Sequence, residues 1–128
     1  ISEMMPDYGD FTQAWTSYGI VVPLVEYVFG VQPDAYVKTI VFEPQLPDGW
    51  NEISVQNLPV GNNVISLSRT KTNKGIEYAL NGSQDNWKMI LKLKDSPGTK
   101  YSLNGKDVPF ASSGFVLNEK ANHLLITQ

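Results

Sequence analysis

The sequence predicts a mainly β protein: an antiparallel β-sandwich of about eight strands, preceded by one kinked or two-part α-helix. Two observations support this prediction. Apolar residues recur at helical spacing within residues 1–33, whereas residues 34–128 alternate apolar with polar side chains between frequent turn signals. The chain has 128 residues, 41% hydrophobic and 18% charged, which indicates a packed domain rather than a disordered segment.

The helix is predicted over residues 12–29. Four apolar residues share one of its faces: Ile20, Leu24, Tyr27 and Val28. Thr12 is a suitable N-cap, and Pro23 either kinks one helix or begins a second one. Gly30 in the left-handed C′ position, followed by Pro33, predicts the end of the helix.

The strands are predicted from alternation and turn chemistry. The clearest one covers residues 87–94, where apolar side chains fall on one face and lysines on the other. Further strands are predicted at residues 37–42 and 52–55 and around Ile65, Tyr78 and Leu124. Asn104-Gly105 predicts a two-residue hairpin turn between two more strands.

Composition excludes several function classes. Ten basic and thirteen acidic residues give a net charge of -3, which argues against nucleic acid and against an anionic membrane surface as partners. The longest apolar run, residues 20–25, is interrupted by Pro23 and is too short to span a bilayer. The absence of cysteine excludes disulfides and thiolate sites, and with a single histidine we expect no metal and no cofactor. The compartment is left unassigned.

Three segments together resemble a known family: residues 11–19 (FTQAWTSYG), 25–35 (VEYVFGVQPDA) and 40–50 (IVFEPQLPDGW). They are similar to the C-terminal end of bacterial six-hairpin glycosidases, the α-L-rhamnosidase-like and amylo-1,6-glucosidase-like (glycogen-debranching) proteins. The resemblance covers about residues 8–60. Gln13 stands where rhamnosidase-like members often carry a histidine.

The resemblance implies a division of the chain and a role. Residues 1–33 would be a helical stub from the end of a catalytic (α/α)6 barrel, and residues 34–128 a non-catalytic C-terminal β-sandwich that stabilises that barrel. The partner would be the missing barrel of the same polypeptide, a glycoside hydrolase whose catalytic carboxylates lie ahead of Ile1. Glu3, Asp7 and Asp10 are interpreted as solvated acids, so no catalytic residue is assigned and we expect the isolated chain to be inactive.

Sugar recognition uses aromatic faces beside polar groups, and the candidates here are Trp15, Tyr18 and Trp50. Trp50 either lies exposed on a loop or packs at the junction of helix and sandwich, and packing is favoured. Trp87 is expected in the core. His123 is expected to face outward from the last strand, without a nucleophile beside it.

Two other roles remain open. A carbohydrate-binding module would present an exposed coplanar pair among Trp50, Tyr78, Trp87 and Tyr101 to an oligosaccharide. An interaction or adhesion sandwich would form a homodimer through residues 1–33 instead.

Overall fold

The computed structural model describes residues 19–47 and 49–127. These residues form a short helix followed by ten strands, which confirms the predicted mainly β sandwich with a helix ahead of it. The strands in chain order are β1 (Val31–Asp34), β2 (Thr39–Phe42), β3 (Glu52–Val60), β4 (Asn63–Thr72), β5 (Gly75–Gly82), β6 (Lys88–Leu91), β7 (Lys100–Leu103), β8 (Lys106–Val108), β9 (Phe115–Leu117) and β10 (Ala121–Thr127).

The described helix covers residues 19–28 and changes type at its proline. Residues 19–22 are α-helical, whereas Pro23–Val28 form a π-helix, in which the amide of Phe29 donates to the carbonyl of Leu24 at 2.9 Å. Proline has no amide hydrogen to donate, so the regular ladder is interrupted there. The two parts of the predicted helix are therefore an α-helical turn and, from Pro23, a π-helical segment. Residues 12–18 of the predicted helix lie outside the described residues.

Gly30 ends the helix in the left-handed region, as predicted, with φ at +62°. The amide of Glu43 donates to the carbonyl of Gly30 at 2.9 Å, and the amide of Gln45 donates to Val28 at 3.0 Å. A Cβ atom at position 30 would lie 2.0 Å from the Glu43 carbonyl oxygen, so the close approach of the two chain segments requires glycine. These contacts join the end of the helix to the segment that follows β2.

The strands form two sheets that pack face to face. The four-stranded sheet has the order β1-β2-β6-β9, and its central pair β2-β6 is parallel. The six-stranded sheet has the order β3-β4-β5-β10-β7-β8 and is antiparallel throughout. Between β2 and β6 the chain passes through β3, β4 and β5 of the other sheet. It then returns to the first sheet, where β6 runs parallel to β2.

The core lies between the sheets and draws apolar side chains from both. The first sheet contributes Val31, Ile40, Phe42, Met89, Leu91, Phe115 and Leu117. The second contributes Val60, Ile65, Leu67, Tyr78, Leu80, Tyr101 and Leu124. Trp87 is buried beside them, as predicted, with 5% of its surface exposed, and its indole Nε1 donates to Asn62 Oδ1 at 2.9 Å. The alternation predicted along the strands therefore does identify the core-facing residues.

Several boundaries differ from the sequence prediction. Residues 19–47 and 49–127 form ten strands rather than about eight, because β1 and β9, of four and three residues, were not predicted. The predicted division of the chain after residue 33 lies within β1, which pairs with β2, and the assignment of the two parts to different domains stays a prediction. The predicted strand at 37–42 begins only at Thr39, since Lys38 adopts a φ of +53° in the turn before it.

The predicted strand at 87–94 was also too long, and β6 ends at Leu91. The amide of Lys92 still donates to the carbonyl of Phe42 at 2.8 Å, but no further ladder follows along this segment. In the opposite direction, the strand predicted at 52–55 continues to Val60 through a register shift between Val55 and Leu58.

Candidate functional site

Five residues that the sequence analysis interprets lie outside the described residues. They are the two sugar-binding candidates Trp15 and Tyr18 and the acids Glu3, Asp7 and Asp10. Their roles stay predictions.

Trp50 is the sugar-binding candidate that the structure describes. It follows the turn at Gly49, and the residue is 45% exposed, which favours the loop alternative over the packing role. Its backbone is well held: the carbonyl accepts from Arg69 Nη1 at 2.6 Å, and the amide donates to Pro47 at 3.3 Å. Trp50 is thus one accessible ring on an anchored loop.

The aromatic pair expected of a carbohydrate-binding module is not formed by the predicted residues. Tyr78, Trp87 and Tyr101 are all buried in the core, which leaves Trp50 as the exposed member of the four. Tyr101 packs against Phe110 and Phe115 with ring centroids 5.7 and 5.1 Å apart. A platform for sugar stacking needs open ring faces, so these three residues cannot provide one.

His123 faces outward, as predicted. It lies on β10, and its Nε2 is 3.4 Å from Glu77 Oε2 on the neighbouring strand β5. Both side chains are accessible to solvent. The pair is a cross-strand surface contact rather than part of a nucleophile–base arrangement.

A cleft of about 670 Å³ opens at one end of the sandwich. Since β2 and β6 are parallel, the segments that follow them leave the sheet at the same end and form one wall of the cleft. The floor is a row across three strands of the other sheet, where Ile126 lies between Ile76 and Tyr101. Lys94 is the charged residue among the described residues of this lining, which therefore contribute no pair of carboxylates for glycoside hydrolysis.

Tyr78 also lines this cleft, and among the described residues it is the titratable group whose pKa is clearly shifted. Burial raises the pKa of Tyr78 above its usual 10.0, while the positive charge and a hydrogen bond from Arg69 oppose the increase. The hydroxyl is therefore protonated at neutral pH. It is a buried neutral group that accepts a hydrogen bond from Arg69, rather than a base.

The described part of the helix exposes large apolar side chains, and none of the residues Pro23–Val28 is buried. We call the set of exposed side chains the apolar helix face: Ile20, Val21, Leu24 and Tyr27. Tyr27 is 69% exposed. A contiguous apolar surface of this kind is typical of a surface that contacts another protein or domain.

A groove of about 470 Å³ adjoins the apolar helix face. Glu26 and Tyr27 from the helix form one side, and β1 together with Glu43 and Gln45 forms the other. The contacts of Gly30 and Val28 with the segment after β2 bring these elements together. Both glutamates are exposed to water, so the groove lacks the desolvated setting in which a carboxyl becomes a general acid.

Sequence reasoning identified three members of the helix face, Ile20, Leu24 and Tyr27, as one side of a helix. It did not identify the groove, because Glu43 and Gln45 come from a segment whose position depends on tertiary contacts. The sequence signal that could have located the groove is Gly30, whose close approach to Glu43 joins the end of the helix to the segment after β2.

Two further searches concern metals and membranes. Among the described ranges, no group of three or more histidine, aspartate or glutamate side chains could hold a metal ion. None of the helical residues seen here forms a segment long and apolar enough to cross a bilayer.

Comparison with known proteins gives one fold relationship. No protein-family model matches the chain, and no curated protein matches it in sequence. Among solved structures, the chain is similar to the α-L-rhamnosidase from Dictyoglumus thermophilum, with a TM-score of 0.61 and 12% sequence identity. The match covers 81% of this chain but 13% of that one, so the likeness is of fold and concerns a small part of a much longer protein.

Proposed function

We propose that the chain is a non-catalytic β-sandwich domain of a glycoside hydrolase, which packs against a helical catalytic (α/α)6 barrel and stabilises it. The observation that carries the proposal is the apolar helix face: a short helix at the start of the sandwich exposes Ile20, Val21, Leu24 and Tyr27. A helix gains most of its stability by burying such a face, so these side chains need a partner surface.

Two further observations support this role. The sequence of residues 8–60 resembles the region where the barrel of six-hairpin glycosidases passes into a C-terminal sandwich. The fold is similar to part of an α-L-rhamnosidase of which the matching region is 13% of the length. A small sandwich attached to a large catalytic region is consistent with both.

The described residues also argue for a supporting role rather than a catalytic one. The larger cleft is lined by a single charged residue, and the glutamates of the groove are exposed. Glycoside hydrolysis needs two carboxyl groups at a fixed separation in a pocket that favours one protonated acid. We therefore expect the purified chain to show no turnover of an aryl α-L-rhamnoside or an aryl glucoside.

The gene sequence ahead of the codon for Ile1 tests the proposal. We expect a region that encodes the helices of a six-hairpin barrel, with a pair of acidic residues in its loops. A preceding region without helical patterning would contradict the proposal, and so would hydrolysis of either aryl glycoside by residues 1–128 alone.

A further inference from the structure

The charges of the chain are divided sharply along the sequence. All ten basic residues lie at position 38 or later, together with eight of the thirteen acidic ones. Residues 1–37 therefore contain five acidic side chains and no lysine, arginine or histidine. The apolar helix face belongs to this acidic part of the chain.

The folded structure places two acidic side chains at the edge of the same surface. Glu26 on the helix and Glu43 after β2 both line the groove beside Tyr27, and no basic residue lines it. Among the described residues, Lys120 pairs with Asp85 and His123 contacts Glu77, and no lysine, arginine or histidine lies within pairing distance of either groove glutamate. The surface thus combines apolar side chains with an unneutralised acidic rim.

Resting on the proposed function, we infer that the apolar helix face and its groove dock onto an apolar surface rimmed by arginine or lysine, carried by the neighbouring helical domain. Apolar contact supplies the area, while opposite charges at the rim set orientation and raise the association rate. Glu26 and Glu43 are the specificity-determining residues of this surface.

The same charges argue against a second copy of the chain as the occupant. A two-fold symmetric dimer places the same patch of both copies face to face. It would bring Glu26 and Glu43 of one copy close to those of the other, and like charges at an interface are unfavourable. Sedimentation at low salt should therefore give a monomer, and a low-salt dimer that requires Tyr27 would overturn the inference.

Two synthetic helical peptides provide the direct test. Both have about 18 residues and an identical leucine face, but one carries arginine along its edges and the other glutamate. Binding of each labelled peptide to residues 1–128 is followed by fluorescence anisotropy. We expect the arginine peptide to bind at least about tenfold more tightly at low ionic strength, with the preference shrinking as salt screens the rim charges.

Matched variants identify the surface. The double variant Glu26→Lys/Glu43→Lys should reverse the preference between the peptides. The control double variant Glu52→Lys/Asp107→Lys makes the same change in net charge away from the groove and should keep the preference for the arginine peptide. Tyr27→Ala should weaken binding of the arginine peptide several-fold, while Tyr36→Ala, at a side chain that is 97% exposed on the β1–β2 turn, should not.

Three results would overturn the inference: equal affinity for the two peptides, no binding of either, or the same loss of preference in both charge-reversal pairs. The last would reflect net charge rather than a defined rim. Failure here is distinguishable from failure of the proposed function, because the sandwich could still stabilise a barrel through a surface without charge complementarity.

Discussion

At the scale of single residues, Gly30 shows how one backbone position connects the helix to the sandwich. Its φ of +62° is costly for a residue with a side chain, and its carbonyl accepts a hydrogen bond from Glu43. The Gly30 and Pro33 signal in the sequence correctly predicted where the helix ends. It did not predict that β1 begins at Val31, because the pairing of β1 with β2 is a tertiary contact.

Gly30→Ala should destabilise the chain by more than about 2 kcal/mol, since the left-handed conformation and the clash with the Glu43 carbonyl both contribute. Urea unfolding measures the loss. Gly98→Ala is the matched control, because Gly98 also has a positive φ but no atom lies within 4 Å of the added Cβ. Equal losses of unfolding free energy in the two variants would show that the close contact with Glu43 does not contribute to the effect.

Tyr78 gives a prediction about pH. Its pKa is raised in the folded state, so between pH 10 and that higher pKa the unfolded chain binds fewer protons than the folded one. The stability contributed by the neutral hydroxyl is therefore complete below pH 10 and is lost as the pH rises through the folded pKa. Between about pH 9 and pH 11, the melting temperature should fall less in Tyr78→Phe than in the parent chain.

Tyr36→Phe controls for this experiment, since it removes a phenol hydroxyl from a side chain that is 97% exposed. A parallel pH dependence in the parent chain and in Tyr78→Phe would contradict the assignment of the raised pKa to Tyr78.

At the scale of elements, local signals predicted the hairpins and failed for strands set by distant contacts. Asn104 and Gly105 both have positive φ and join β7 to β8, as the dipeptide predicted. By contrast β9 has three residues and owes its position to pairing with β6. The parallel pairing of β2 with β6 was not predicted either, because strand alternation does not reveal which strands become neighbours.

The buried side chain of Asn63, the first residue of β4, joins this strand to the segment that follows β5. Its Oδ1 accepts from the amide and hydroxyl of Ser83 and from the amide of Gln84, at 2.9, 3.1 and 3.1 Å. Asn63→Ala removes all three hydrogen bonds, although the Ser83 amide keeps the carbonyl of Val64 as an acceptor at 3.0 Å. The substitution should cost about 2–4 kcal/mol of unfolding free energy, measured in urea.

Asn73→Ala is the comparison for that measurement, because Asn73 is exposed in the β4–β5 turn and its loss should cost less than about 0.5 kcal/mol. If Asn63→Ala were as mild as Asn73→Ala, the three hydrogen bonds would contribute little beyond what water provides.

At the scale of the whole molecule, the sequence predicted the sandwich but only part of the candidate site. Helical periodicity placed Ile20, Leu24 and Tyr27 on one side of the helix. It could not show that this side is exposed, because exposure depends on what packs against the helix. Trp50 was expected to pack and is half-exposed on its loop. The acidic groove required the structure, since Glu26 and Glu43 are distant in sequence and meet through the contacts around Gly30.

The proposed supporting role is tested most directly by the thermal stability of the longer polypeptide that it implies, with and without residues 19–128, so that the apolar helix face and the whole of β1 are removed with the sandwich. Removing the sandwich would expose the surface that it covers on the catalytic region, so we expect the truncated protein to melt several degrees lower and to aggregate. Adding the sandwich back as a separate chain should restore part of the loss. An unchanged melting temperature, with unchanged glycosidase turnover, would contradict the account.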